Sequence, residues 1–374
     1  MNRLMMSFAL IVTPGLLAGQ TQSGEVDRYL RSEMTTRKIP ALGVAVVRGG
    51  KIEKTATYGM ANLELDVPAS EGSLFQINSA TKSFAAVALM MLVEAGRFQL
   101  DDSIGSHLDS LPVSWRSVTV RQLMNHTSGL PDVVDNATAG TLLARNAPEA
   151  VAFLAPKPMM FPRGTSWSYN QTNYMLLAML IEKKSGLAFP RFCLEREFAP
   201  LGITRAFFGD SRHVVPGRAS GYTKFNTAGG KVTPLAGVQN TWYEFEPFLY
   251  TAAGLHISAI DFGRWLVGLL GGKLISRKSL EEIWDPTKLA DGKVFHIEGS
   301  LGYGLGWPLF DRPKHRAAGG SGGARAAFFV YPDDDLAVVV LTNLQGASPE
   351  SLVEGVAAIY LPDLKTGGSP PSQP

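Results

Sequence analysis

The chain has 374 residues, 45% hydrophobic and 18% charged, with a formal net charge of +2. That is ample for a packed core in one large domain or two lobes, and it contains no basic block of the kind that tracks nucleic acid. A lone cysteine, Cys193, excludes an internal disulfide and reads as a buried structural thiol.

Residues 1–19 (MNRLMMSFALIVTPGLLAG) carry one Arg, an apolar stretch and then small residues. This is the pattern of a secretory signal peptide cleaved near Gly19 to Ser23, so residues 1–22 are expected to be removed and the protein to be periplasmic or secreted. The apolar run is short for a membrane span and holds Pro14. An uncleaved anchor is the alternative. Val26, Tyr29, Leu30 and Met34 recur at helical spacing and predict an amphipathic helix over 23–38. Ala41 to Arg48 reads as a buried strand, turned by Gly49-Gly50 into a second strand, Lys51 to Tyr58.

Next comes the stretch that carries chemistry, FQINSATKSFAAVALMMLVEAGRFQL, from Phe75 to Leu100. Ala, Met, Leu, Val and Phe without interior Gly or Pro predict a helix from about Ser79 to a cap near Gly96. Ser79 and Lys82, three apart, then share one face at the helix start, where backbone N–H groups are free. A serine beside a base and unpaired N–H donors suits nucleophilic acyl chemistry. The plainer reading is an N-cap serine and a solvated lysine. Against it, this is the sole Ser-x-x-Lys in the chain, and Lys82 leads into an apolar run where a lysine can lose its proton.

Further on, Val118 to Met124 reads as a short helix that runs into the turn-rich loop Asn125 to Asp132. Residues 140–200 read as helices separated by Pro-rich breaks. Phe207 to Tyr250 is poorly periodic and is expected to form loops lining something. Asp261 to Leu270 and Ser276 to Trp284 are helical. Ala324 to Tyr331 and Leu336 to Thr342 form a second hairpin, and Pro349 to Tyr360 a closing helix. Strands at both ends with helices between predict an α+β fold. Its antiparallel sheet comes from both termini (about 23–75 and 300–362) and is flanked by helices, with an inserted mostly helical lobe (about 76–299). Residues 363–374 (DLKTGGSPPSQP) read as a disordered tail.

A second cluster lies in FPRGTSWSYNQTNYMLLAMLIEKKSG, Phe161 to Gly186. Tyr174 to Lys184 reads as a helix. Tyr169, in the loop before it, is a base if a nearby cationic lysine lowers its pKa, or an ordinary packed tyrosine. The six histidines show no His-x-His or His-Glu-x-x-His spacing, so no metal is expected. Gly302-x-Gly304-x-Gly306 does not sit between a strand and a helix, so no dinucleotide or other cofactor is expected. Asn125, Asn136 and Asn170 begin glycosylation-acceptor patterns, partly within the expected site.

Several of these segments together resemble the β-lactamase-related serine hydrolases: class C β-lactamases, DD-peptidases, D-aminopeptidases and related esterases. The resemblance covers about Val26 to Tyr360. It is carried by Phe75 to Lys82 (FQINSATK), Leu123 to Leu130 (LMNHTSGL), Tyr169-Asn170-Gln171 with Asn173-Tyr174, and Ala253-Gly254-Leu255. Tyr303 to Trp307 (YGLGW), Gly320-Ser321-Gly322-Gly323 and Leu341-Thr342-Asn343 complete it. It implies that Ser79 is the acylated nucleophile, Lys82 its base and Tyr169 a proton shuttle. The N–H groups of Ser79 and Gly323 would form the oxyanion hole, and Gln171, Gly320, Ser321 and Gly322 would line the substrate. Two departures stand out. The family's Tyr-x-Asn is here Tyr169-Asn170-Gln171, with the amide one methylene further out. Its third motif begins with Lys or His, where this chain has Gly320; Arg325 and His315 are the candidate replacements. The expected function is hydrolysis of esters or small amides, D-amino-acid peptides included, with weak or no β-lactamase activity. Partners are small-molecule or short-peptide substrates, with no nucleic acid and no stable membrane span. The alternative is a catalytically silent relative that uses the cleft for binding or assembly.

Overall fold

The computed structural model describes residues 14–135, 141–226, 232–296 and 302–364. At its centre is an eight-stranded sheet. Its order is Gly302–Tyr303, Pro308–Phe310, Ala317–Gly322, Ala326–Tyr331, Leu336–Thr342, Ala41–Arg48, Lys51–Asn62, Val67–Pro68. Every pairing in it is antiparallel. The N-terminal hairpin joins the C-terminal one through Ala41–Arg48 and Leu336–Thr342, with Val44 opposite Val340. The strands at the join are almost wholly apolar because both faces are covered.

Alternation sorts their side chains. Leu42, Val44 and Val46 pack with Val26 and Leu30 of the first helix and with Leu352, Val353 and Val356 of the last. Ala45 and Val47 face the other way, toward the helical lobe and its aromatic centre of Phe84, Phe262, Trp265, Trp307 and Phe328. Glycine permits the closest approach between the layers. A Cβ on Gly43 would stand 3.0 Å from Ala259 Cβ, and one on Gly263 would stand 3.1 Å from Ala45 Cβ. So the helix Ala259–Leu270 lies almost directly on the strand Ala41–Arg48.

The helix of Lys82 runs from Thr81 to Glu94, led in by a 3₁₀ turn over Asn78–Ala80. Every side chain from Thr81 to Met90 is buried, and the left-handed Gly96 (φ +67) follows its end. The antiparallel sheet from both chain ends, flanked by terminal helices, matches the sequence expectation. Three details differ. The first helix spans Pro14–Arg37 and runs through the expected cleavage zone. Residues 222–240, expected to be loop, contain the antiparallel strands Tyr222–Asn226 and Thr233–Asn240. The second of these is mostly exposed, so it carries no period-two apolar signal. At the C-terminus, Leu364 is buried and the Asp363 carboxylate accepts from His315, so ordered chain passes the expected tail boundary. Residues 1–13 and 365–374 lie outside the described residues. Among the described residues no helix is long and apolar enough to cross a membrane.

Behind the helix of Lys82 lies a buried acid. Glu197 sits in the π-helical turn Cys193–Phe198, fully buried, with the indole N–H of Trp265 donating to it at 2.8 Å. Burial pushes its carboxyl up from 4.5 to about 8. The folded state therefore holds a proton that the unfolded chain releases near 4.5. Stability falls as pH rises from that value through about 8. Glu197→Gln is expected to flatten the decline of Tm between about pH 5 and pH 9. Equal slopes in the variant and the wild type would contradict this assignment.

Candidate active site

The site forms where the 3₁₀ turn Asn78–Ala80 meets the end of the strand Ala317–Gly322. Asn78 is left-handed (φ +45), and its carbonyl accepts from the Thr81 hydroxyl at 2.6 Å. This locks the turn that presents Ser79, which is only half-buried. Lys82, one turn on, is 1% exposed. Its Nζ donates to Gln171 Oε1 and to the Ala252 carbonyl, each at 3.0 Å. The ring faces of Tyr169 and Tyr174 lie 4.6 and 5.0 Å from it. Burial lowers the amine from 10.5 to about 7, and the Asp132 carboxylate opposes that shift. An amine that is about half neutral at pH 7 can take a proton from a neighbouring hydroxyl in that neutral form.

Gln171 is the first residue of the helix Gln171–Ser185, capped by the Asn170 side chain. The longer amide thus still reaches Lys82, and its oxygen is committed there. Tyr169, two residues earlier, is half-buried; its hydroxyl is buried beside the side chains of Ser79 and Gln171, but closes no hydrogen bond of full geometry. Burial pushes the phenol well above 10, and the neighbouring Ser79 pulls it partly back. Asp132 accepts from the backbone N–H of Gln171 at 2.9 Å and of Thr172 at 3.3 Å. A carboxylate at a helix N-terminus is held there by the dipole and the free N–H groups.

The far wall is glycine. A Cβ on Gly322 would stand 2.7 Å from the Ser79 nitrogen, and one on Gly323 (φ +56) 1.8 Å from Asn78 Nδ2. Only glycine lets this strand end close over the Ser79 amide. Gly320 lies on the same strand face as Gly322. A Cβ there would meet Phe328 Cε1 at 2.7 Å and Ser83 Oγ at 3.1 Å. The Phe328 ring, wedged between Phe262 and Trp307, leaves no room for a first side-chain carbon at position 320. Ser321 faces the opposite side of the sheet, where its hydroxyl meets the Glu350 carboxyl. That corrects the reading of Ser321 as a substrate contact: strand alternation turns it away. It also disposes of a Gly-x-Ser-x-Gly pattern, Gly319 to Gly323, because Ser321 sits inside a strand and not on a strand-to-helix turn.

Neither candidate replacement cation is available. Arg325 is 1% exposed, stacks on Tyr243 at 4.6 Å and donates to Thr241 Oγ1 and the Tyr243 hydroxyl. His315 lies at the other end of the strand, bonded to Asp334 and Asp363 at 3.0 Å each.

A profile of the Beta-lactamase family matches residues 26–359. The chain belongs to that family. It is 29% identical over 292 residues to penicillin-binding protein 4* of Bacillus subtilis (strain 168), covering 75% of this chain and 62% of that one. The chain therefore spans less than two thirds of that relative's length. Among solved structures, the D-amino acid amidase of Ochrobactrum anthropi SV3 superposes with a TM-score of 0.74 at 22% identity, over 90% of this chain and 99% of that one. EstCE1, a hydrolase with promiscuous acyltransferase activity, gives 0.74 at 19% identity, over 92% and 100%. At those identities the two structures speak for the fold.

Sequence reasoning gave no role to two residues of this Beta-lactamase family site, His126 and Asp132. Both lie in the Asn125 to Asp132 loop already singled out. Two charge-bearing residue types next to turn formers were the available signal. Of the acceptor asparagines, Asn125 and Asn170 are buried, so neither is open to glycosylation in the folded chain, and Asn136 lies outside the described residues. No metal-ligating group of His, Cys, Asp and Glu occurs among the described residues.

Asp132 raises the Lys82 pKa, so its removal must lower it. Asp132→Asn keeps an acceptor oxygen for the helix N-terminus and deletes the charge. An NMR titration of the Lys82 ε-carbon should place the wild-type amine at about 7 and the variant below that. An unchanged or raised value in Asp132→Asn would show that another charge governs Lys82.

Proposed function

We propose that this protein hydrolyses esters or small amides through an acyl-enzyme on Ser79. The observation that carries the reading is the setting of Lys82, buried between two neutral acceptors. A neutral amine has two N–H bonds and one lone pair. Both N–H bonds have acceptors, Gln171 Oε1 and the Ala252 carbonyl, which leaves the lone pair for the hydroxyl one turn back. In this reading Ser79 Oγ attacks the carbonyl carbon as its proton passes to Lys82, directly or through the Tyr169 hydroxyl. The carbonyl oxygen becomes an oxyanion facing the N–H groups of Ser79 and Gly323. Collapse breaks the bond to the leaving alcohol or amine, which takes the proton. Water then repeats the sequence on the Ser79 ester and frees the acid.

The missing third-motif cation shapes the substrate. Phe328 stands beside Gly320 and both outlying cations are engaged, so a substrate carboxylate has no partner on that strand. The same gap supports the second reading, a catalytically silent relative. Turnover decides between them. Export of the chain after removal of residues 1–22 belongs to this proposal. Protein recovered from a bacterial periplasm should begin between Gln20 and Gly24, and retention of Met1 would contradict it.

Losing a charge-assisted bond costs about 1.5–3 kcal/mol, so kcat/KM for short neutral nitrophenyl esters should exceed that for penicillins by about ten- to a hundredfold or more. Ser79→Ala should abolish ester turnover, while Tyr169→Phe should fold normally and lose most of it. Near-wild-type turnover by Ser79→Ala would sink the mechanism. Efficient penicillin hydrolysis by the wild type would overturn the substrate argument. Gly320→His is expected to lower Tm, because the new Cβ enters the Phe328 ring, and pairing it with Phe328→Ala should restore part of the loss.

A further inference from the structure

His126 lies outside the proton path just described, yet it touches Tyr169 from three directions. Its carbonyl accepts from the Ser168 N–H at 3.0 Å. Its Nδ1 accepts from the Asn170 N–H at 3.2 Å and lies 3.2 Å from Asn173 Nδ2. Its ring packs on the Tyr169 ring at 4.6 Å between centroids. The residues before and after Tyr169 are thus both tied to His126, and the tyrosine's own ring is laid against it. The backbone of His126 is left-handed (φ +63), a conformation that non-glycine residues seldom adopt and one that is over-represented where geometry serves function.

The bonding also fixes its protonation. Nδ1 accepts, so the proton is on Nε2, which is buried without a hydrogen-bond partner, and the ring packs with those of Tyr174 and Tyr303, their centroids 5.3 and 5.2 Å away. A second proton would cost both Nδ1 contacts. Burial and the Lys82 charge hold the imidazole well below its usual pKa, in agreement with that geometry. The titratable groups facing it are Lys82, Tyr169, Tyr174 and Tyr303.

We infer that His126 is a positioning residue that holds the Tyr169 hydroxyl over Ser79, through the backbone on either side of the tyrosine and through ring contact. This rests on the acyl-enzyme reading above. The test is a double-mutant cycle with Tyr169→Phe, read as kcat and KM on a nitrophenyl ester. His126→Phe keeps a ring and removes the acceptor, and should lower kcat about 30- to 100-fold with KM nearly unchanged, the scale of a displacement near 1 Å. His126→Asn returns an acceptor close to the Nδ1 position and suits a left-handed backbone, so it should lose less. In the Tyr169→Phe background either substitution should cost less than about threefold, because the group being positioned is gone.

Equal losses in both backgrounds, or a loss confined to KM, would overturn the inference. If His126→Phe does not fold, the His126→Asn pair carries the same comparison. Ser79→Ala assayed in parallel separates the two layers. Retained turnover there removes the acyl-enzyme reading and this inference together. Lost turnover with additive His126 effects removes the inference alone.

Discussion

A lysine amine taken out of water is the constraint on which this site depends. Burying a charged ammonium is costly, and a protein meets that cost by pairing the charge or by letting the proton go. Among the described residues, the charge that opposes its deprotonation is Asp132, whose own lone pairs are engaged by backbone N–H groups at the start of the helix Gln171–Ser185. The rest of the shell is neutral: an amide oxygen, a peptide carbonyl and two tyrosine faces. The fold supplies that shell from distant parts of the chain. The helix of Lys82 is buried by the sheet and by the aromatic group behind it, the Ala252 carbonyl comes from the segment after residue 240, and Gln171 comes from the inserted lobe.

The same packing explains what the site lacks. At position 320 the family's usual cation would need a Cβ where the Phe328 ring now sits, and Phe328 belongs to the aromatic core and not to the cleft. A core residue has thereby set the polarity of the strand that closes over Ser79. Lys82 is then the one described cation with an acceptor in the catalytic shell, and its charge is the one that burial removes.

Much of this was legible in the sequence wherever local pattern and tertiary environment agree. The Ser79 to Lys82 spacing and the apolar run after it predicted a shared helix face and a desolvated amine, because both properties belong to one contiguous segment. The two-ended sheet was legible because its strands are buried on both faces and read as apolar runs. Tyr169 stood open between a base and a packed tyrosine until the family resemblance gave it a role, since a loop tyrosine has no period to betray it. His126 escaped because its importance lies in a left-handed backbone and in a ring seated on a residue 43 positions away, as their numbers show. Ser321 was misread because a strand motif names its residues without naming its faces. The paired strands Tyr222–Asn226 and Thr233–Asn240 were missed because an exposed strand needs no alternation.

The central claim is that an uncharged Lys82 activates Ser79. The rate at which a serine-directed phosphonate labels the protein, followed by intact mass across pH, tests it most directly. The account predicts a single adduct, absent in Ser79→Ala, forming at a rate that rises with pH and levels off past an inflection at about 7, where burial has moved the amine. An adduct that persists in Ser79→Ala, or a labelling rate that climbs with pH without an inflection near neutrality, would contradict it.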